Sequence, residues 1–525
     1  MQTEEELIGI DIGLKNDLAA MVRVRRLENK IMLGSYRRVF DEGGLMLSRG
    51  FGKAMRRISI SVVVIVGALE GISPRWADAA TFNVNAAVDD SDASPGDGVC
   101  STGAGSCTLR AAVQEANALA GKDTINIPAG TYTVSGRVQV QDSVDLFGVD
   151  AATTIVSGGS AHPLFQVMQS GTGAHPLVSI HRMTLRDGYG GLGERGVALY
   201  NMPGATTKLW DSIVRDNESN IYGGGISNYG YLYIIRSEIR NNRLPEGGGG
   251  VTSAGGGIFN AGTLEIACSA VTENFATRGG GINNNNGILK IKESTISSNR
   301  ALGGGGGIRN VGDSRLYIAS TTVTLNRGNE GGQNEPRKTG AGVQTLAPAT
   351  VWIGGSILAG NIDNRSRFDP LFSPDCFSDN PGNIVSMRSN LFGVVNSQCP
   401  FRDSITGTTT SFDLKGTDTV PLDPKLDPIP SSAGSIRVHA LQVASPAIDG
   451  NTATPNSGIF SCDAIDQRGS ARPTDGDGNG QAACDIGAFE REVSSSAVNP
   501  AACDALQFAV GDTTPPMAPG SLQIR

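Results

Sequence analysis

Leu264-Glu265-Ile266-Ala267-Cys268-Ser269-Ala270-Val271-Thr272-Glu273-Asn274 is answered 25 residues later by Leu289-Lys290-Ile291-Lys292-Glu293-Ser294-Thr295-Ile296-Ser297-Ser298-Asn299. Both stretches read apolar, any, apolar, two spacers, Ser, any, apolar, two spacers, Asn. Further copies begin at Val178, Thr207, Leu232, Leu316 and Val351, seven in all. A glycine run and a second Asn precede most of them, as in Gly225-Ile226-Ser227-Asn228, Gly257-Ile258-Phe259-Asn260, Gly281-Ile282-Asn283-Asn284 and Gly307-Ile308-Arg309-Asn310. Self-similarity at this period marks a solenoid.

The spacing within a copy selects the kind of solenoid. Offsets 0 and 2 share a strand face. The step from 2 to 5 breaks that parity, so the chain bends; offsets 5 and 7 form a second short strand, and the Asn at offset 10 marks the next corner. Gly-Ile-x-Asn supplies a third strand. The expected fold is all-β, a single-stranded parallel β-helix. One coil buries too little apolar surface to offset the ordering of its backbone, so stability belongs to neighbouring pairs of coils. Asn at equivalent corners can bond amide to amide along the stack, a structural role.

Outward from the repeats, Met55-Arg56-Arg57, the apolar run Ile58 to Leu69 and Ala77-Asp78-Ala79 have the three parts of a secretory signal peptide over 55–79. Residues 1–54 ahead of it read as an overlong start, with Met55 or Met46 as initiator; the alternative is a real N-terminal extension. The expected location is secreted or at the cell surface, with no transmembrane span. All eight cysteines follow the cleavage site. Cys100/Cys107, Cys376/Cys399 and Cys462/Cys484 are candidate disulfides by proximity. Cys268 and Cys503 are left over, and packing accounts for Cys268.

Between 80 and 135 the chain reads as an N-terminal cap. Thr81 to Val88 is a first strand; Thr108 caps a helix carrying Leu109, Val113, Ala116 and Leu119 on one face, and Gly121 stops it. Laid over the first coil, that helix would shield an open strand edge. Repeats are expected over 136–365. The last degenerate coils, among them Asp423-Pro424-Lys425-Leu426, lie in 366–490, ahead of a polar tail over 491–525.

Phe82-Asn83-Val84, Cys100 and Cys107, Cys107-Thr108-Leu109-Arg110 with Ala116-Asn117-Ala118, and Ile127-Pro128-Ala129-Gly130-Thr131-Tyr132 resemble the CSLREA domain found at the head of secreted bacterial β-helix proteins, with Ala111 where that signature has Glu. Ser445-Pro446-Ala447-Ile448-Asp449, Asp466-Gln467-Arg468-Gly469, Arg472-Pro473 and Cys484-Asp485-Ile486-Gly487-Ala488-Phe489-Glu490 resemble the choice-of-anchor Q domain. Together the resemblances imply a bacterial envelope or extracellular protein with a right-handed β-helix, and they carry over no catalytic residues.

Net charge is −8 and the isoelectric point is near 5.2, so nothing argues for nucleic-acid or anionic-membrane binding. Asp475-Gly476-Asp477-Gly478-Asn479-Gly480 places oxygens like the start of a calcium loop. Ile486 stands where the bidentate Glu should be, and Asp485 is the substitute. The candidate ligands are thus Asp475, Asp477, Asn479 and Asp485. The alternative is a glycine-rich acidic turn that holds no metal; no cofactor is certain, and calcium is the one candidate.

Catalysis on such a fold needs carboxylates converging over neighbouring coils. Here Glu238, Glu265 and Glu293 fall at different offsets. Asp216 and Glu273 share one, but two coils apart. No catalytic residue is assigned. Tyr222, Tyr229, Tyr231 and Tyr233 could stack sugars or simply pack at an edge; Trp210 and Trp352 share the outward parity. The expectation is a monomeric, non-catalytic, adhesin-like module binding polysaccharide or another cell-surface component. The alternative is a polysaccharide lyase or hydrolase, with its cleft walled by 244–254 or 328–338.

Overall fold

The computed structural model describes residues 79–492 and 503–504, except 171–172, 174, 192, 246–252, 332–338, 366–371, 373, 381, 404–411, 431–436 and 452–459. It also gives the backbone of an antiparallel meander, Glu5–Ile10, Ala20–Leu27 and Lys30–Arg38, in a separate unit ending at Pro74. The signal-peptide segment lies outside the described residues.

The solenoid is a parallel β-helix. Following one coil, Thr263–Ala267 belongs to a 12-stranded sheet A, Ala270–Thr272 to an 11-stranded sheet B, Phe275–Ala276 to a four-stranded sheet C and Ile282–Asn285 to a nine-stranded sheet D. Strand pairs in all four are parallel and in register: Leu232 stands under Leu264, then Leu289, Leu316 and Val351. These side chains, with Ile266, Val271 and their equivalents, are almost fully buried in one continuous core. Sheet C was not expected. Its two-residue strands follow the Asn corner in a stretch with no repeated apolar position.

Two corners are made by residues at positive φ. At offset 4 stand Arg182, Asp211, Arg236, Cys268, Glu293, Ser320 and Gly355; at offset 9, Asp187, Asp216, Asn241, Glu273, Ser298, Leu325 and Gly360. The first turn moves offset 5 out of the second strand, which starts at offset 6. Ser269 is therefore a buried corner residue: its hydroxyl donates to Ala267 O and accepts Ser237 N. Ser212, Ser237, Ser294 and Ser356 accept the same way from the coil before. The glycine runs close the remaining corner, where a Cβ on Gly256 would sit 2.4 Å from Gly280 O and one on Gly280 2.3 Å from Arg300 O.

The Asn columns behave as expected. Asn217, Asn242, Asn274, Asn299, Asn326 and Asn361 each donate a side-chain amide to the next, at 2.8–3.0 Å. Asn201, Asn228, Asn260, Asn284 and Asn310 form a second column on sheet D.

Helix α1, Leu109–Ala118, is capped by Thr108, whose hydroxyl accepts Ala111 N, and it packs Leu109, Ala112, Val113 and Ala116 on the first coil. The first strand is shorter than expected, Thr81–Asn83. Ahead of the regular repeats, Asp123–Ile127, Gly130–Thr133 and Val138–Val140 make the first coil.

At the other end, coils continue through Cys376–Ser378, Ile384–Ser386 and Leu391–Phe392 to the short strands Arg402–Asp403 and Leu414–Lys415. Leu426 does not extend them; it bridges antiparallel to Leu441. From there the chain turns back along the outer face of sheet B. Its contacts are His439 with Ser297, Gln467 with Thr295, Gly487 N with Gly355 O and Ala488 N with Thr322.

Candidate functional site

The carboxylates singled out in the repeats have separate fates. Glu265 and Lys290 sit in register on neighbouring sheet A strands and form a nearly buried pair at 3.2 Å. Burial pushes the Glu265 carboxyl up, while Lys290 opposes that rise. Asp216 is held by Arg215 and the Asn241 amide. Glu293 is fully buried under the returning C-terminal segment, 3.4 Å from Arg472, and desolvation raises it well above the usual carboxylate range. Arg472 also meets Glu490 at 3.3 Å and donates to Gly487 O. Desolvation pulls that guanidinium down, but Glu293, Glu490, Asp466 and Asp485 more than offset it. The motif Asp466-Gln467-Arg468-Gly469 through Glu490 is thus an internal clamp onto the solenoid wall.

Glu238 and Glu273 do converge, through a residue that the sequence reading missed. Arg437 Nη1 lies 3.0 Å from Glu273 Oε1, and its Nε lies 3.9 Å from Glu238 Oε2. Burial raises Glu238, with Arg240 and Arg437 acting against it. Also unforeseen is the contact of Ser297 Oγ with His439 Nε2, at 2.8 Å, with His439 Nδ1 on Asp427 O. Both side chains are buried, a carbonyl stands where a catalytic carboxylate would, and desolvation lowers His439. The contact joins the C-terminal segment to sheet B. Only its fold-back brings Arg437 and His439 to these positions, so no sequence signal could have found them.

Cys100–Cys107, Cys376–Cys399 and Cys462–Cys484 are disulfides in the structure. The leftover cysteines pair with each other: Cys268 bonds Cys503 across 235 residues, which corrects the packing explanation. Cys503 and Asp504 are thereby held beside Ile235, Trp210 and Tyr233, with Asp504 paired to Arg236.

In the acidic loop, Asp475 and Asp477 approach Asp449, with one oxygen of each within 4.8 Å of the others. Asp485 points elsewhere, accepting Asp449 N and Arg491 N. Burial and the Glu490 charge raise it to about 7. Asn479 caps the loop by bonding Asp477 Oδ2 and accepting Gln481 N. Asp475 accepts the backbone N–H of Gly478, Asn479 and Gly480, so the turn is satisfied by its own amides. Hard oxygen donors of this kind suit calcium.

The four tyrosines divide between two faces. Tyr231 and Tyr233 lie on sheet A, where Lys208 sits over the Tyr233 ring. Further along that face Phe147, His181 and Trp210 stack in a row, with centroids 4.4 and 6.1 Å apart. Tyr317 and Trp352 stack on the same sheet. Tyr222 and Tyr229 belong instead to the outward side of sheet D, where Phe259 packs against both and Tyr200 meets Tyr229 edge-on. Arg195 lies over Tyr222 and Tyr229, at 5.1 and 5.8 Å, and donates to the Tyr229 hydroxyl at 2.8 Å. Burial raises the Tyr229 hydroxyl. This group has the composition of a saccharide platform, ring faces beside fixed polar donors. The loops named above as cleft walls lie largely outside the described residues.

Among the described residues no helix is long and apolar enough to cross a membrane. No family model matches the chain, and no curated protein or solved structure matches it.

Proposed function

We propose that this chain is an exported or cell-surface solenoid that binds polysaccharide without cleaving it. The observation that carries this reading is the outward group Tyr200, Tyr222 and Tyr229 around Arg195, backed by the buried Phe259 ring. A solenoid wall needs no aromatics outside its core, and half-buried ring faces suit the C–H face of a sugar. Export is supported by the signal-peptide pattern at 55–79, by four disulfides and by the resemblance of both ends to surface β-helix proteins. The test is co-sedimentation of the full chain with insoluble polysaccharides. Retention by at least one, lost in Tyr222→Ala/Tyr229→Ala while thermal stability is kept, supports the reading. Equal retention of that variant contradicts it.

A second reading, cleavage of the polysaccharide, is favoured by Glu238 and Glu273 on either side of Arg437, with burial raising the Glu238 carboxyl. Two carboxyl groups facing one position are what acid–base hydrolysis of a glycosidic bond requires. Appearance of new reducing ends, abolished by Glu238→Gln, would place the protein in this class.

A further inference from the structure

Most arginines on the solenoid flank are neutralised by a carboxylate: Arg137 by Glu194, Arg186 by Asp187, Arg215 by Asp216, Arg236 by Asp211, Arg240 by Glu238 and Arg243 by Glu218. Arg195 has no carboxylate partner among the described residues. It is half buried, pressed against two tyrosine rings, and a single N–H bond to the Tyr229 hydroxyl fixes its fork. A guanidinium carries five N–H donors, so most of this one is uncommitted. Desolvating a cation without an ion partner is unfavourable, and ring contacts recover only part of the loss.

The neighbouring residues repeat the sign. Parallel bridging puts Arg195, Tyr222, Ala254 and Arg278 in one column. Sheet D register puts Tyr200, Ser227, Phe259, Asn283 and Arg309 in another. Arg137 lies over the Tyr200 ring. Arg137 is bound by Glu194, which leaves Arg195 as the cation of this group with no carboxylate partner among the described residues, in a chain whose net charge is −8. A half-buried cation without an ion partner, on an acidic protein, selects an anion. The ring faces add a second condition, because a bare anion has no apolar face to stack. A neutral sugar would leave the fork unused.

Resting on the polysaccharide-binding reading, we infer that the Arg195–Tyr222–Tyr229 face takes a carboxylated sugar of an acidic polysaccharide. The tyrosine rings hold the sugar face and the Arg195 fork holds the carboxylate.

The test measures affinity of the full chain for polygalacturonate, for the same polymer with its carboxyls methyl-esterified, and for dextran sulfate. The acid form is expected to bind about tenfold tighter than the ester, the factor that one charge-assisted bond supplies. That preference should vanish in Arg195→Gln and persist in part in Arg195→Lys, with unfolding temperatures unchanged. Should Arg195→Gln fail to fold, Tyr229→Phe, which removes only the hydroxyl orienting Arg195, is expected to cut the preference severalfold. Equal affinity for acid and ester, a preference that survives Arg195→Gln, or dextran sulfate bound as well as polygalacturonate would each overturn the inference. If neutral polysaccharides are still retained in a Tyr222-dependent way, the broader reading stands without it; if no polymer binds, both fall.

Discussion

Asp375 Oδ1 accepts the Asn361 side-chain amide at 2.9 Å and so ends the asparagine column on a carboxylate. Each Asn above it both accepts and donates; the last member need only accept, and Asp does nothing else when ionised. The serine corner ends alike: Ser356 N donates to Asn390 Oδ1, and Asn390 donates to Asp413. Asp375 is buried, and desolvation raises it to about 6 despite bonds from Asn361 and Val394 N.

A raised carboxyl favours the protonated form in the folded state. Its stabilising contribution is therefore complete below pH ~4 and is lost as pH rises through about 6. At about 1.4 kcal/mol per pKa unit, the loss is on the order of 3 kcal/mol. Urea unfolding at pH 4 and pH 7.5 should show wild type losing about that much relative to Asp375→Asn. Parallel pH dependence of the two proteins would refute the assignment.

Within the column the demand is different. Asn274 accepts both N–H groups of Asn242 and donates to Asn299 Oδ1 and Ile239 O. Asn274→Ala leaves buried donors unmet and should cost about 3–5 kcal/mol. Asn274→Asp turns its donor into an acceptor facing two oxygens, so it should be worse at pH 7 than at pH 4. Hydrogen exchange at the Asn242 amide reports the local opening.

The Cys268–Cys503 bond closes a loop of 235 residues. On the chain-entropy account its removal costs up to about 5 kcal/mol. Cys503→Ser should also free Asp504 from Arg236 and uncover Trp210, giving a red-shifted tryptophan emission. An unchanged spectrum would mean the tail stays in place without the bond.

Arg472→Met removes the cation between Glu293 and Glu490 and leaves fully buried carboxylates unpaired. The expected loss is about 3–5 kcal/mol, concentrated in the C-terminal clamp. Limited proteolysis should then release residues 437–492 before the coils are cut. Glu293→Gln in the same chain should restore part of the loss.

The Leu264–Leu289–Leu316 column was legible because its apolar spacing recurs in six of the seven copies, with Thr207 in the other. The Asn columns were legible because one residue type recurs at one corner. Sheet C, with strands such as Phe275–Ala276, was not, since two residues carry no periodicity. Nor was the role of Ser269: parity assigns it to a strand, whereas the positive φ of Cys268 places it in the corner. Site residues were legible only where neighbours in sequence stay neighbours in space. Tyr222 and Tyr229 are separated from Tyr231 and Tyr233 by a corner, while Asp449 reaches Asp475 and Cys503 reaches Cys268 only through the returning chain.

The most direct test of the central claim is to incubate the full chain with an arrayed panel of polysaccharides, scoring retained protein and new reducing ends together. The account predicts retention of at least one polymer, dependent on Tyr222 and Tyr229, with no shortening of the polymer. Depolymerisation that stops on Glu238→Gln or Glu273→Gln, or no retention by any polymer, would contradict it.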